Sequence, residues 1–123
     1  MLPSKTRDKD IRFNELKDEL KAVGFDTMRI EREDYLELVV TTDKLGALTI
    51  KLESFLGPAI WPSQRRLEAM VEERIKEFGG IMTDQALYFK QQLEEIFLVM
   101  LWPWKDSQHT TIKVIRGILP LRH

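Results

Sequence analysis

Three tryptophans stand beside prolines, in Trp61-Pro62 and in Trp102-Pro103-Trp104. A large aromatic next to a proline gives a stiff surface that loses little entropy on contact, which suits recognition. The run Ile96-Phe97-Leu98-Val99-Met100-Leu101-Trp102 carries no charge. Taken as helix, it is apolar around its whole circumference, more than one buried stripe requires. Such a segment is either sandwiched inside the monomer or meets another chain with its second face. The expectation is a protein interface built from Trp61, Ile96, Phe97, Met100, Trp102 and Trp104, with a bound apolar small molecule as the alternative. Arg65 and Arg66 follow Pro62 and would supply rim charges. At the front of a helix they would also suit an anion, although pairing with Glu68 or Glu72 is the plainer reading.

Acid–base chemistry has fewer supports. His109 precedes Thr110-Thr111 in a polar stretch and has the right chemistry for a general base. No H-E-x-x-H, nucleophile elbow, phosphate loop or dinucleotide glycine pattern frames it. Asp43, Lys51 and Glu53 are of the types a metal-dependent nuclease uses, but their spacing departs from an acid-x-Lys triplet. Lys51 and Glu53, two apart on an expected strand, read better as an exposed cross-strand ion pair. No catalytic residue, metal ligand or cofactor is therefore expected, and a small hydrolase using His109 with these hairpin groups is the alternative. A third reading concerns the C-terminal stretch. Residues 103–123 hold four basic groups, Lys105, Lys113, Arg116 and Arg122, against Asp106 alone. With Trp102 and Trp104 nearby they would make a weak single-strand platform, since bases stack on indoles and cations follow phosphates. A core role for the tryptophans and a wet strand face for the charges is the simpler account, so nucleic acid is not the expected partner.

The elements that must position these residues follow from periodicity. Asp10 to Val23 reads as an amphipathic helix. Phe13, Leu16, Leu20 and Val23 form its stripe, Asp8 or Asp10 its cap and Gly24 its end. Thr27 to Arg32 and Tyr35 to Thr42 alternate as strands around a turn at Glu33-Asp34. Ala47 to Glu53 alternates too, with Leu48, Ile50 and Leu52 on one side, and reads as a third strand after the Asp43-Gly46 turn. Two prolines and a glycine make 55–62 a connector. A second helix starts near Pro62-Ser63, buries Leu67, Met70, Val71, Ile75 and Phe78, and stops at Gly79-Gly80. Thr83 caps a third helix that runs to about Leu101 and is stopped by Pro103. Thr110 to Leu119 is rich in β-branched residues and reads as a fourth strand.

The chain is thus expected to be a single α+β domain over residues 1–123, in the order α-β-β-β-α-α-β. Its four-stranded, mostly antiparallel sheet would be backed by helices on one face. The opening α-β-β-β order resembles that of secretion-chaperone-like and immunity-protein-like domains, an analogy of element order that carries over no functional residue. The two helices before the last strand depart from the chaperone order.

Composition narrows the class further. With 123 residues, 43% hydrophobic and 32% charged, the chain has enough apolar material for one core and little room for two domains. The lack of cysteine excludes disulfides, thiolate metal sites and a cysteine nucleophile. Nineteen basic against 20 acidic residues leave a net charge of −1, which argues against a globally basic nucleic-acid binder. The first eight residues show no signal-peptide core, and no apolar stretch reaches the ~18 residues of a membrane span. A cytoplasmic, non-catalytic protein-binding module is expected: an adaptor, an inhibitor of the immunity type or a small chaperone. Its partner would be another protein or, by self-association, a second copy, with no membrane contact.

Overall fold

The computed structural model describes residues 12–62, 69–82 and 84–118. In chain order they form α1 (Phe13–Val23), β1 (Thr27–Arg32), β2 (Tyr35–Thr41), a short 3-10 turn (Thr42–Lys44), α2 (Leu45–Leu56), α3 (Ala69–Lys76), β3 (Ala86–Gln92), β4 (Glu95–Pro103) and β5 (His109–Ile118). The five strands make one antiparallel sheet in the order β1-β2-β5-β4-β3. The mixed α+β class and the antiparallel pairing match expectation. The element order and the strand count do not.

The first helix and hairpin form where periodicity puts them. Phe13, Leu16 and Leu20 are buried, and Gly24 ends α1 at φ 115° with its N–H on the Lys21 carbonyl. Asp8 and Asp10 lie outside the described residues. The Lys17 stem is buried with the core, and its ammonium reaches the Arg32 carbonyl at 2.7 Å. Lys21 binds the Glu31 carboxylate at 2.9 Å, so two lysines tie α1 across β1. That bond holds the Lys21 ammonium above its ordinary pKa and the Glu31 carboxyl below its own.

Two elements correct the sequence reading. Ala47 to Glu53 is not a strand but part of α2. Leu48, Leu52 and Leu56, spaced by four, are buried, whereas Ile50 is 70% exposed. Leu48 and Leu52 satisfy both a period of two and one of 3.6; only Ile50 distinguishes them. The expected third helix, Thr83 to Leu101, is instead the hairpin β3–β4. It turns at Leu93-Glu94, where Leu93 takes the left-handed conformation at φ 56°. The opening order is therefore α-β-β-α, and the analogy of element order no longer applies. The second helix appears as α3, with Val71 and Ile75 buried and Gly79 and Gly80 beyond its end at positive φ. Its expected start at 63–68 is outside the described residues, as is Leu67.

Helices lie on both faces of the sheet, not on one. On the first face α1 and α2 pack Phe13, Leu16, Leu20, Leu48 and Leu52 against Leu36, Leu38, Val99 and Ile112. On the second, α3 contributes Val71 and Ile75 against Leu87, Ile96, Leu98, Met100 and Ile115, with Trp61, Phe78 and Trp102 alongside. Strand β4 feeds both cores. Phe97, Val99 and Leu101 point to the first, and Ile96, Leu98 and Met100 to the second. The apolar run is thus a strand covered on both sides, which reads as a continuous hydrophobic stretch. Each fully buried side chain of this kind contributes roughly 1.5–3 kcal/mol.

Candidate functional site

The α3 layer covers the second face over β3, β4 and part of β5. The half made by β1, β2 and the start of β5 is covered by no described helix, and it carries the aromatic and charged side chains not absorbed by the cores. Trp104 follows the end of β4 and is 38% exposed. Its indole N–H donates to Thr111 Oγ1 at 2.8 Å. The His109 ring lies 4.9 Å from its own, and the Arg29 guanidinium stands 5.7 Å from its centroid. An imidazole and a guanidinium thus flank a half-exposed indole pinned through its nitrogen.

The supports of this aromatic are local. Trp104 and His109 close the β4–β5 hairpin, with the Trp104 N–H on the His109 carbonyl at 2.8 Å. Asp106 organises the loop between them. Its carboxylate accepts from the Gln108 N–H at 2.8 Å and the His109 N–H at 3.1 Å, and meets His109 Nδ1 at 2.7 Å. The Gln108 N–H bond first, and then His109, hold the Asp106 carboxyl below the usual carboxylate range. Arg29 reaches the patch because β1 is irregular between Met28 and Ile30. A bulge re-aims a side chain, and here the Arg29 guanidinium lies 3.4 Å from Glu37.

Deeper in the sheet, Lys113 lies 3.5 Å from the centroid of the Trp102 ring and donates to the Phe78 carbonyl at 3.4 Å. Burial pushes the Lys113 ammonium below its ordinary pKa; Glu37 opposes that and Arg29 adds to it. Tyr35 stacks on Phe78 at 5.9 Å and donates its hydroxyl to Glu37 at 2.6 Å. Burial, then that bond, raises the Tyr35 hydroxyl pKa. Trp102 is wedged under Gly79, where a Cβ would meet the indole at 2.8 Å. Its own Nε1 is buried without a hydrogen-bond partner among the described residues.

The expected contact residues separate into three groups. Ile96, Phe97 and Met100 are fully buried in the monomer, so they offer no area to a partner; a strand, not a helix end, holds them. Trp61 is partly buried against the second core. Its indole donates to the Met82 carbonyl at 3.0 Å, and its backbone bridges Leu87, clipping the connector onto the outer edge of β3. Trp102 and Trp104 do come together with the patch. Arg65 and Arg66 lie outside the described residues.

The alternative chemistries are split by the sheet. Lys51 is on α2 and pairs with Glu19 of α1 at 2.5 Å, on the face opposite His109. Glu53 is also on α2, two residues away, so the expected cross-strand pair does not exist. Asp43 accepts the Thr41 hydroxyl. His109, Lys51 and Glu53 therefore form no common site. Among the described residues no group of three or more potential metal ligands occurs. The basic C-terminal residues are divided too. Lys113 is laid on Trp102, whereas Arg116 projects to the opposite face and binds Glu95 through two nitrogens at 2.5 and 3.0 Å. Strand alternation thus breaks the phosphate track that residues 103–123 suggested. Arg122 is outside the described residues. No described helix is long and apolar enough to cross a membrane.

Sequence reasoning missed Arg29, Tyr35, Glu37 and Asp106. Alternation puts Tyr35 and Glu37 on one face, which was a signal for that pair, whereas nothing in the period marks Arg29, whose approach to Glu37 depends on the register shift between Met28 and Ile30. Searches against protein-family models, curated proteins and solved structures find no match to this chain.

Proposed function

We propose that the protein is a non-catalytic protein-binding module, and that it associates with a second copy of itself through the patch centred on Trp104. The observation that supports this reading is the state of Trp104: half-exposed, flanked by Arg29 and His109, and fixed by Thr111. A tryptophan already held in place loses little entropy when a partner covers it. Tryptophan, tyrosine and arginine are also the side chains that dominate interface energies. The charges around the indole are of both signs, Arg29 and Lys105 beside Glu37 and Asp106. A mixed patch is self-complementary under a two-fold axis, where each cation of one copy faces an anion of the other. Ile96, Phe97 and Met100 leave the contact surface; Trp104, Arg29 and His109 replace them.

Sedimentation equilibrium over roughly 1–200 μM tests this, since that range brackets affinities near −8 kcal/mol. The expected result is a reversible monomer–dimer equilibrium that Trp104→Ala weakens at least about tenfold and Arg29→Glu also weakens, with melting temperature little changed. A strictly monomeric protein across that range, or a dimer indifferent to both substitutions, would overturn the proposal.

A further inference from the structure

At the other end of the second face is a recess of about 290 Å³ that the binding patch does not use. Its apolar wall is the stacked pair Tyr35 and Phe78 together with the buried Ile115. Four charges ring it, Arg32 and Asp34 from the β1–β2 hairpin and Arg74 and Glu77 from α3 and the turn after it. The Arg116 side chain takes no part, because it projects to the opposite face and is held there by Glu95. Two cations beside two anions disfavour a ligand of one sign, which one pair would attract and the other repel. They suit a ligand that carries both signs on neighbouring atoms.

These charges stay open to a ligand because they do not satisfy one another. Arg74 and Glu77 approach only to 3.8 Å, beyond hydrogen-bond range. The Arg74 side chain is 25% exposed and that of Glu77 60%. Gly117 lets the Arg74 guanidinium in, because a Cβ there would stand 3.4 Å from its central carbon. Arg74 gives one hydrogen bond, to the Ile118 carbonyl at 3.3 Å. Of five guanidinium N–H donors, most are thus left for a ligand among the described residues. Across the recess Arg32 lies opposite Tyr35 in the β1–β2 ladder, so strand alternation puts both on this face. The side chains of Arg32 and Asp34 join no ion pair among the described residues. Each side of the recess therefore presents a guanidinium and a carboxylate from nearby positions of the chain. An α-amino acid answers both, since it carries its ammonium and its carboxylate on one carbon.

We propose that this recess binds a free α-amino acid with an aromatic or large apolar side chain. Its carboxylate is held by Arg74 and Arg32, its ammonium by Glu77 and Asp34, and its side chain by Tyr35, Phe78 and Ile115. Guanidinium–carboxylate bonds are charge-assisted and fixed in geometry, so Arg74 sets the orientation of the ligand. The volume sits at the lower limit of ligand pockets, ~300 Å³, which admits a single amino acid and not a peptide. The inference is independent of the Trp104 patch, which lies at the opposite end of the same face.

Titration of the 15N-labelled protein near neutral pH and at constant ionic strength tests it, with phenylalanine, hydrocinnamate, phenethylamine and glycine as probes. Phenylalanine is expected to saturate with Kd on the order of 1 mM, as befits a ligand of about twelve heavy atoms. It should shift the Nε–H signal of Arg74 and the backbone amides of Asp34 and Phe78. The other probes should bind at least about fivefold more weakly, because hydrocinnamate lacks the ammonium, phenethylamine the carboxylate and glycine the ring. Arg74→Gln should weaken phenylalanine about tenfold, the loss of one charge-assisted contact, without weakening phenethylamine. Glu77→Gln should weaken phenylalanine without weakening hydrocinnamate. The ranking of the probes is read in the wild-type chain, so the test survives a variant that fails to fold. Hydrocinnamate or phenethylamine binding as tightly as phenylalanine, no saturation by phenylalanine below about 20 mM, or shifts centred on Trp104 would each overturn the proposal.

Discussion

Asp106 uses both carboxylate oxygens inside its own hairpin, on the N–H groups of Gln108 and His109 and on the His109 ring. Those bonds need the ionised form, which is why its pKa lies below the ordinary value. For a carboxyl lowered by folding, the stabilisation is fully present above the unfolded pKa of ~3.9 and is lost as pH falls through the folded value. The loop that presents Trp104 should therefore be fixed at neutral pH and loosen only in acid. The indole N–H signal of Trp104 is expected to hold its position down to about pH 4 and move below it. In Asp106→Asn that acid step should vanish, and an identical step in both proteins would show that another group sets it.

Helix α2 separates two readings of one stretch of chain, and single substitutions separate them again. Leu52→Ala empties a fully buried position and is expected to cost about 2–5 kcal/mol. Ile50→Ala, two residues earlier on the exposed side, should stay within about 0.5 kcal/mol. A strand would have lost similar amounts at both, since residues two apart share a face. Urea denaturation of the two variants reads the difference directly. This is also where the limits of sequence reading lie. Helix α1, the β1–β2 hairpin and the stripe of α3 were legible from their periodicity, and strand β5 from its β-branched residues, although it is buried on both faces. Leu48 and Leu52 fit either period, and the alternation of Leu48, Ile50 and Leu52 favoured the wrong one. Strand β4 was misread for the opposite reason. A segment buried on both faces has no periodicity, so Ile96 to Leu101 carried no sign of alternation. Length then favoured helix, and only the Leu93-Glu94 turn, with no glycine to mark it, divided it into two strands. Of the candidate site, Trp102 and Trp104 were found by residue type. Arg29 and Glu37 were not, because their meeting depends on the bulge in β1.

The two cores lie on opposite faces but share β4 and β5, so they are expected to melt together. Tryptophan fluorescence reports the second face, through Trp61, Trp102 and Trp104. Far-ultraviolet circular dichroism reports chiefly the helices, α1 and α2 of the first face foremost. In urea the two signals are expected to coincide in one transition, as in a cooperative domain. Separate midpoints would mean that the α3 layer comes away by itself.

The strand order has a consequence for how the molecule is made. β5 lies between β2 and β4 and is synthesised after both. Until it emerges, the nascent chain holds two hairpins that cannot join: β1–β2, whose β2 edge waits for β5, and β3–β4, whose β4 edge waits for the same strand. Each edge is a template for any passing strand. At ~5–20 residues per second the interval from β2 to the completion of β5 lasts several seconds. The last-made strand is thus the wedge that locks the sheet, and until it is in place the polypeptide depends on its solvent, its neighbours and the ribosome surface to keep those two edges apart.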